Sequence, residues 1–128
     1  MIYPMFAMVV LTLLIGAAAF VVRVNSVRQD TVDPRSYKLM DAESYPDAVT
    51  KTTRSLSNQF EIPVLFYVAC LVFLALDISS TAGLFLAWLF VAFRVVHAYI
   101  HLTYNLLLHR IVAFWLSVFT VLALWVCL

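Results

Sequence analysis

The sequence predicts an all-α fold, an integral membrane four-helix bundle with antiparallel, up-down topology. Three observations predict it. Hydrophobic residues make up 65% of the 128 residues and charged residues only 12%. A soluble domain has roughly 45–50% and about 25%, so this chain has too little polar surface to cover a water-soluble core. The apolar residues fall into four runs, each close to the length of roughly 20 residues that a spanning helix needs. The last three runs are separated by short polar links, which makes them antiparallel neighbours. A closed barrel is the other spanning solution, and its alternating pattern is absent.

The whole chain, 1–128, reads as one membrane domain. Residues 1–22 carry no charge, and Met5–Val22 forms the first span, about 5–22. Ala17-Ala18-Ala19 resembles a signal-peptide cleavage site. No Lys or Arg precedes the apolar stretch, so the segment reads as a retained helix. Gly16 through Ala19 would let another helix approach closely. The stretch of about 25–57 is the only long hydrophilic segment. It interleaves Asp30, Asp33, Asp41, Glu43 and Asp47 with bases and includes Pro34 and Pro46. It is either a solvated connection or a cover over a site at that end of the bundle. The second span covers about 58–76, with an apolar run from Phe60 to Leu76. Asp77-Ile78-Ser79-Ser80 is a tight polar turn, the third span covers about 81–104, Asn105–Arg110 links it onward, and the fourth covers about 111–128.

Basic residues set the expected orientation. Arg23, Arg28, Arg35, Lys38, Lys51 and Arg54 lie in or beside the first loop, Arg110 lies in the third, and the second loop and both ends carry no Lys or Arg. The positive-inside rule puts loops one and three in the cytoplasm and both termini outside. A net charge of +1 leaves no nucleic-acid footprint. Cys70 and Cys127 lie in apolar stretches and read as small buried hydrophobes, not as a disulfide framework. Cys70 as a nucleophile is weak, because apolar surroundings disfavour its thiolate.

Ionisable residues inside a span are expensive unless they face the bundle or a wet cavity. Glu61, Arg94, His97 and His101 are therefore the informative positions. On the third span Arg94, His97, His101 and Tyr104 follow i, i+3, i+7, i+10, one helix face that Asn105 extends. Arg54, Asn58 and Glu61 follow i, i+4, i+7 at the start of the second. Both stripes lie toward the same end of the bundle and can form one site. The bland alternative is a structural polar network in which Arg94 pairs with Glu61. A metal or haem reading rests on the i, i+4 spacing of His97 and His101, but no Cys or second His pair joins them, so no metal is expected.

The stretch Arg54-Ser-Leu-Ser-Asn58-Gln-Phe-Glu61-Ile-Pro63 resembles the signature of the MAPEG family, the membrane-associated proteins of eicosanoid and glutathione metabolism. That family's second helix opens with R-x-x-x-N-x-x-E, usually followed by a proline and a Phe/Leu-rich run. Arg94-Val-Val-His97 is similar to the R-x-x-H of its prostaglandin synthase. The four-span length agrees over essentially the whole chain, and the short, loop-poor form suggests a bacterial member of the inner membrane.

The resemblance implies a homotrimer of four-helix protomers with glutathione, as co-substrate, in clefts between them near the cytoplasmic face. Arg54, Asn58, Glu61, Arg94 and His97 would contact it, a carboxylate suiting its amino group and arginines its carboxylates. Arg110 would stabilise the thiolate. Where the family carries a tyrosine seven residues after the third-helix arginine, this chain has His101, which leaves that role to His101 or Tyr104. The expected function is a glutathione-dependent transferase or peroxidase acting on a lipophilic electrophile or hydroperoxide. The alternative is a non-catalytic protein that binds a lipid or partner in the same groove, since the family includes a lipid-presenting member. Transport is disfavoured, because four spans show neither broken segments nor an inverted repeat.

Overall fold

The computed structural model describes residues 1–38 and 45–128. Among these, the chain forms α1 (Ile2–Arg28), α2 (Asp47–Ser57), α3 (Ile62–Ala75), α4 (Thr81–Leu102) and α5 (Leu107–Val126), with short 3-10 turns at Pro34–Lys38 and Asn58–Phe60. The Asn58–Phe60 turn joins α2 to α3, so Asp47–Ala75 is one of four helical segments long and apolar enough to cross a membrane. The protein is an all-α, multi-pass integral membrane protein, and the described residues contain no strand. Asp41 and Glu43, two acids of the first loop, lie outside the described residues.

Two helices run further into the hydrophilic stretch than hydropathy suggests. α1 continues past Val22 to Arg28 because its polar end has partners. Arg23 donates from Nη2 to Thr53 Oγ1 at 3.0 Å, and the hydroxyls of Ser26 and Tyr37 share a hydrogen bond of 2.6 Å. α2 is a short amphipathic helix. It starts after Pro46 with Asp47 in its first turn, where the helix dipole favours an acid. Its buried face is Val49, Thr52 and Ser55, three residues apart, and it packs chiefly on α1.

Pro63 divides α2 from α3. Proline has no backbone N–H, and its ring excludes the carbonyl four residues back, so an α-helix cannot run through this position unbroken. The chain passes through the 3-10 turn, and Glu61 leaves helical geometry at φ −97°, ψ −99°. α3 then starts with Pro63 in its first turn, where the missing N–H costs nothing.

Asp30, Asp77 and Asn105 take left-handed φ values of 51°, 51° and 49° just beyond α1, α3 and α4. Asp and Asn tolerate this region better than other side chains, so each reverses the chain at a helix end. α4 begins with Ser80, whose Oγ accepts from the Gly83 N–H at 3.0 Å. A Cβ on Gly83 would lie 2.9 Å from Phe73 Cζ and 3.1 Å from Met1 Cε, so a larger residue here would have to push those side chains aside.

α4 and α5 share the broadest contact, α3 lies on α5, and α1 packs along α2, α4 and α3. The core includes Met8, Phe73, Val121 and Leu124 around Phe66 and Phe90, whose rings stack at 4.4 Å and 9°. Phe6, Leu13, Phe20, Phe85 and Phe119 point outward and are exposed, as suits a surface solvated by hydrocarbon. The hydroxyls of Thr12, Ser117 and Thr120 donate to carbonyls of their own helices at 3.0, 2.7 and 2.7 Å. No hydroxyl donor among these three is left unpaired in lipid.

Candidate functional site

A cleft of about 340 Å³ opens at the α2–α3 break. α2 supplies Arg54 and Ser57, the 3-10 turn supplies Asn58, the linking residue before α3 is Glu61, the last turns of α4 supply His97 and His101, and α5 supplies Arg110, Ile111, Phe114 and Trp115. The break matters because it re-aims the chain between Asn58 and Glu61, letting a carboxylate sit at the mouth of a helix pair. Arg54 and Glu61 are exposed and Asn58 is half-buried, while His97 and His101 are each only 2% exposed and form the inner wall.

Local contacts orient these groups. The Asn58 side-chain amide donates to the Arg54 carbonyl at 2.8 Å, one turn back. Arg110 Nη1 donates to Asn105 Oδ1 at 3.0 Å, so the turn after α4 holds the guanidinium. The His97 ring meets His101 edge-on at 5.8 Å and Phe114 at 6.0 Å. The Nδ1 atoms of both histidines are buried without a hydrogen-bond partner among the described residues. A smaller recess of about 200 Å³ adjoins the cleft. It shares Arg54, His101 and Arg110 with it and adds Asp47, Thr50, Lys51 and Asn105. Among the described residues, no group of three or more His, Cys, Asp or Glu comes together as a metal-binding set.

Of the residues singled out by the two sequence stripes and the third loop, Arg54, Asn58, Glu61, His97, His101 and Arg110 meet in the cleft. Arg94 and Tyr104 do not line it. Arg94 is completely buried behind the wall, and its Nη2 donates to the Asn58 carbonyl at 2.7 Å, not to Glu61. Tyr104 is exposed beyond the end of α4, with its hydroxyl 3.1 Å from His109 Nδ1. Ile111, Phe114 and Trp115 are wall residues that the sequence did not mark. Their i, i+3, i+4 spacing puts them on one face, but every face of α5 is apolar enough to hide that signal.

Fold and cleft together define a multi-pass membrane protein with a polar, arginine-bearing site at one end of its helix bundle, walled on one side by aromatic side chains. The MAPEG family model matches residues 1–128, the whole chain, and the protein belongs to that family. No curated protein and no solved structure matches the chain significantly.

Proposed function

We propose that the cleft binds glutathione and that the protein is a glutathione-dependent transferase or peroxidase acting on lipophilic electrophiles or hydroperoxides. The observation that carries this reading is the meeting of Arg54, Glu61 and Arg110 with an apolar wall of Ile111, Phe114 and Trp115. Glutathione carries two carboxylates, one ammonium and a thiol. Two guanidiniums suit the carboxylates or a thiolate, the Glu61 carboxylate suits the ammonium, and the aromatic wall suits a lipophilic acceptor. A thiolate held beside a cation is a ready nucleophile, and a membrane-embedded groove concentrates its partner. Titrating purified protein with glutathione while following thiolate absorbance tests the reading. Saturable appearance of thiolate at neutral pH is the expected result. Binding without thiolate formation, together with no conjugation or peroxidase activity across a broad electrophile panel, would replace it with the non-catalytic lipid- or partner-binding reading.

The proposal extends to assembly and orientation. The working unit is a homotrimer with its sites between protomers, which shields the polar end of the bundle from lipid. The protein sits in a bacterial inner membrane with the cleft facing the cytoplasm and both termini outside. In a Cys127→Ser background, a cysteine placed at Ser36 should be protected from an impermeant thiol reagent in intact cells, and one placed at the exposed Ser79 should be labelled. The reverse labelling pattern would overturn the orientation.

A further inference from the structure

Arg94 is the largest of the fully buried side chains, at 0% exposure. It sits on α4 one turn before His97 but does not line the cleft. Its Nη2 makes a short 2.7 Å bond to the Asn58 carbonyl, Nε and Nη1 have no hydrogen-bond partner among the described residues, and the Glu61 carboxylate, at the far side of the same break, acts on the guanidinium electrostatically. Burying a guanidinium this way is costly, and an apolar side chain would hold a bundle together more cheaply. The place where the bond lands is therefore informative. It spans 36 positions in sequence to reach the α2–α3 break. That break exists because Pro63 interrupts the helical register, and it carries Asn58 and Glu61 into the cleft. A backbone released from α-helical pairing at this point needs another constraint to adopt one geometry. Arg94 supplies it, and the Asn58 amide passes it one turn back to the Arg54 carbonyl at 2.8 Å.

We infer that Arg94 is a positioning residue: by holding the Asn58 carbonyl it fixes the α2–α3 break, and so places Arg54, Asn58 and Glu61 for the ligand without touching it. The effect on ligand binding rests on the glutathione reading of the cleft, whereas the effect on the backbone rests on the geometry alone.

Three variants of the full-length protein in mild detergent test this. Arg94→Met removes both the bond and the charge that acts on Glu61, with little change of volume, Arg94→Lys keeps the charge with fewer donors, and Pro63→Ala permits an unbroken helix while leaving every polar group in place. In unliganded Arg94→Met, amide exchange over residues 58–61 should rise about tenfold while the cores of α3, α4 and α5 stay protected, the signature of local opening. The glutathione Kd should rise about tenfold, the scale of one charge-assisted hydrogen bond, and Arg94→Lys should recover part of this. The pKa of the bound thiol should stay at its wild-type value, since Arg110 keeps its own anchor. Pro63→Ala should weaken glutathione to a similar degree, and adding it to Arg94→Met should cost less than the sum of the two, because both act on one element. Exchange that rises throughout the bundle, with the folded fraction keeping its affinity, would show a merely structural arginine and overturn the inference. Should Arg94→Met fail to assemble, Pro63→Ala decides: unchanged affinity overturns it. If wild-type protein fails to bind glutathione while exchange still rises only at 58–61 in Arg94→Met, the positioning role stands and the glutathione reading falls.

Discussion

Arg110→Ala is expected to cut the thiolate fraction of bound glutathione about tenfold at neutral pH, because a cation within a few ångströms of a thiol favours its charged form. A free cysteine thiol titrates at roughly 8.5 and is mostly protonated at pH 7. A protein that runs thiolate chemistry must lower that value. Arg110 is well placed to do so, since it lines the cleft beside His101 and is held by Asn105. Removing it raises the thiol pKa, so thiolate appears only at higher pH and the rate at neutral pH falls with it. Arg110→Lys should recover part of the effect, as the charge survives and the forked geometry does not. Thiolate absorbance of the saturated complex across a pH series measures this directly. An unchanged curve in Arg110→Ala would take the arginine out of the thiolate site. His101→Phe adds a separate comparison: an enzyme that positions sulfur with this imidazole should lose turnover while keeping much of its glutathione affinity.

Glu61→Gln keeps size and removes charge, and glutathione affinity should fall about tenfold, the cost of replacing a charge-assisted hydrogen bond to an ammonium by a neutral one. Glu61 is exposed at the mouth of the cleft, and its carboxylate acts electrostatically on the buried Arg94 guanidinium. The variant should assemble as the wild type does and melt somewhat lower, because the buried Arg94 loses a counter-charge, while the larger effect falls on affinity. Calorimetric titration alongside thermal unfolding separates the two effects. A loss of stability with unchanged affinity would make Glu61 structural, and no change in either would remove it from the site.

Much of the fold and of the cleft lining is legible in the residues alone. Lipid imposes a simple code, so the four apolar runs announced four spanning segments. Helical spacing also put Arg54 with Asn58 and His97 with His101 on faces that meet in the cleft, whereas Glu61 reaches it through the α2–α3 break and not as a third position of one continuous helix. The same logic failed where a helix stopped. Tyr104 completes the i+10 position of the Arg94 stripe, but α4 ends at Leu102, and the turn through Asn105 carries the phenol away to His109. A helix end is decided by backbone geometry that hydropathy does not report. Depth was also invisible. Spacing put Arg94 on the right face, yet only packing could show that the cleft stops short of it and that its partner is a main-chain carbonyl. α2 was hidden for the opposite reason, since a short amphipathic helix among charged residues resembles a connection until Val49, Thr52 and Ser55 are seen buried together. Phe114 and Trp115 carry no signal of their own, because in a membrane helix a cleft-facing aromatic and a lipid-facing one are the same residue type.

Asn105 does two jobs with one side chain. Its backbone at φ 49° reverses the chain after α4, and its Oδ1 holds Arg110 at 3.0 Å. Glycine favours that backbone region more strongly than asparagine, so the reversal does not need the amide, whereas the hold on the guanidinium does. Chain reversal and the anchoring of a side chain therefore separate at this one position. Asn105→Gly would give a bundle that is built as before while the Arg110 guanidinium swings free. Asparagine here gives up some ease of turning so that the end of one helix can aim the charge at the start of the next.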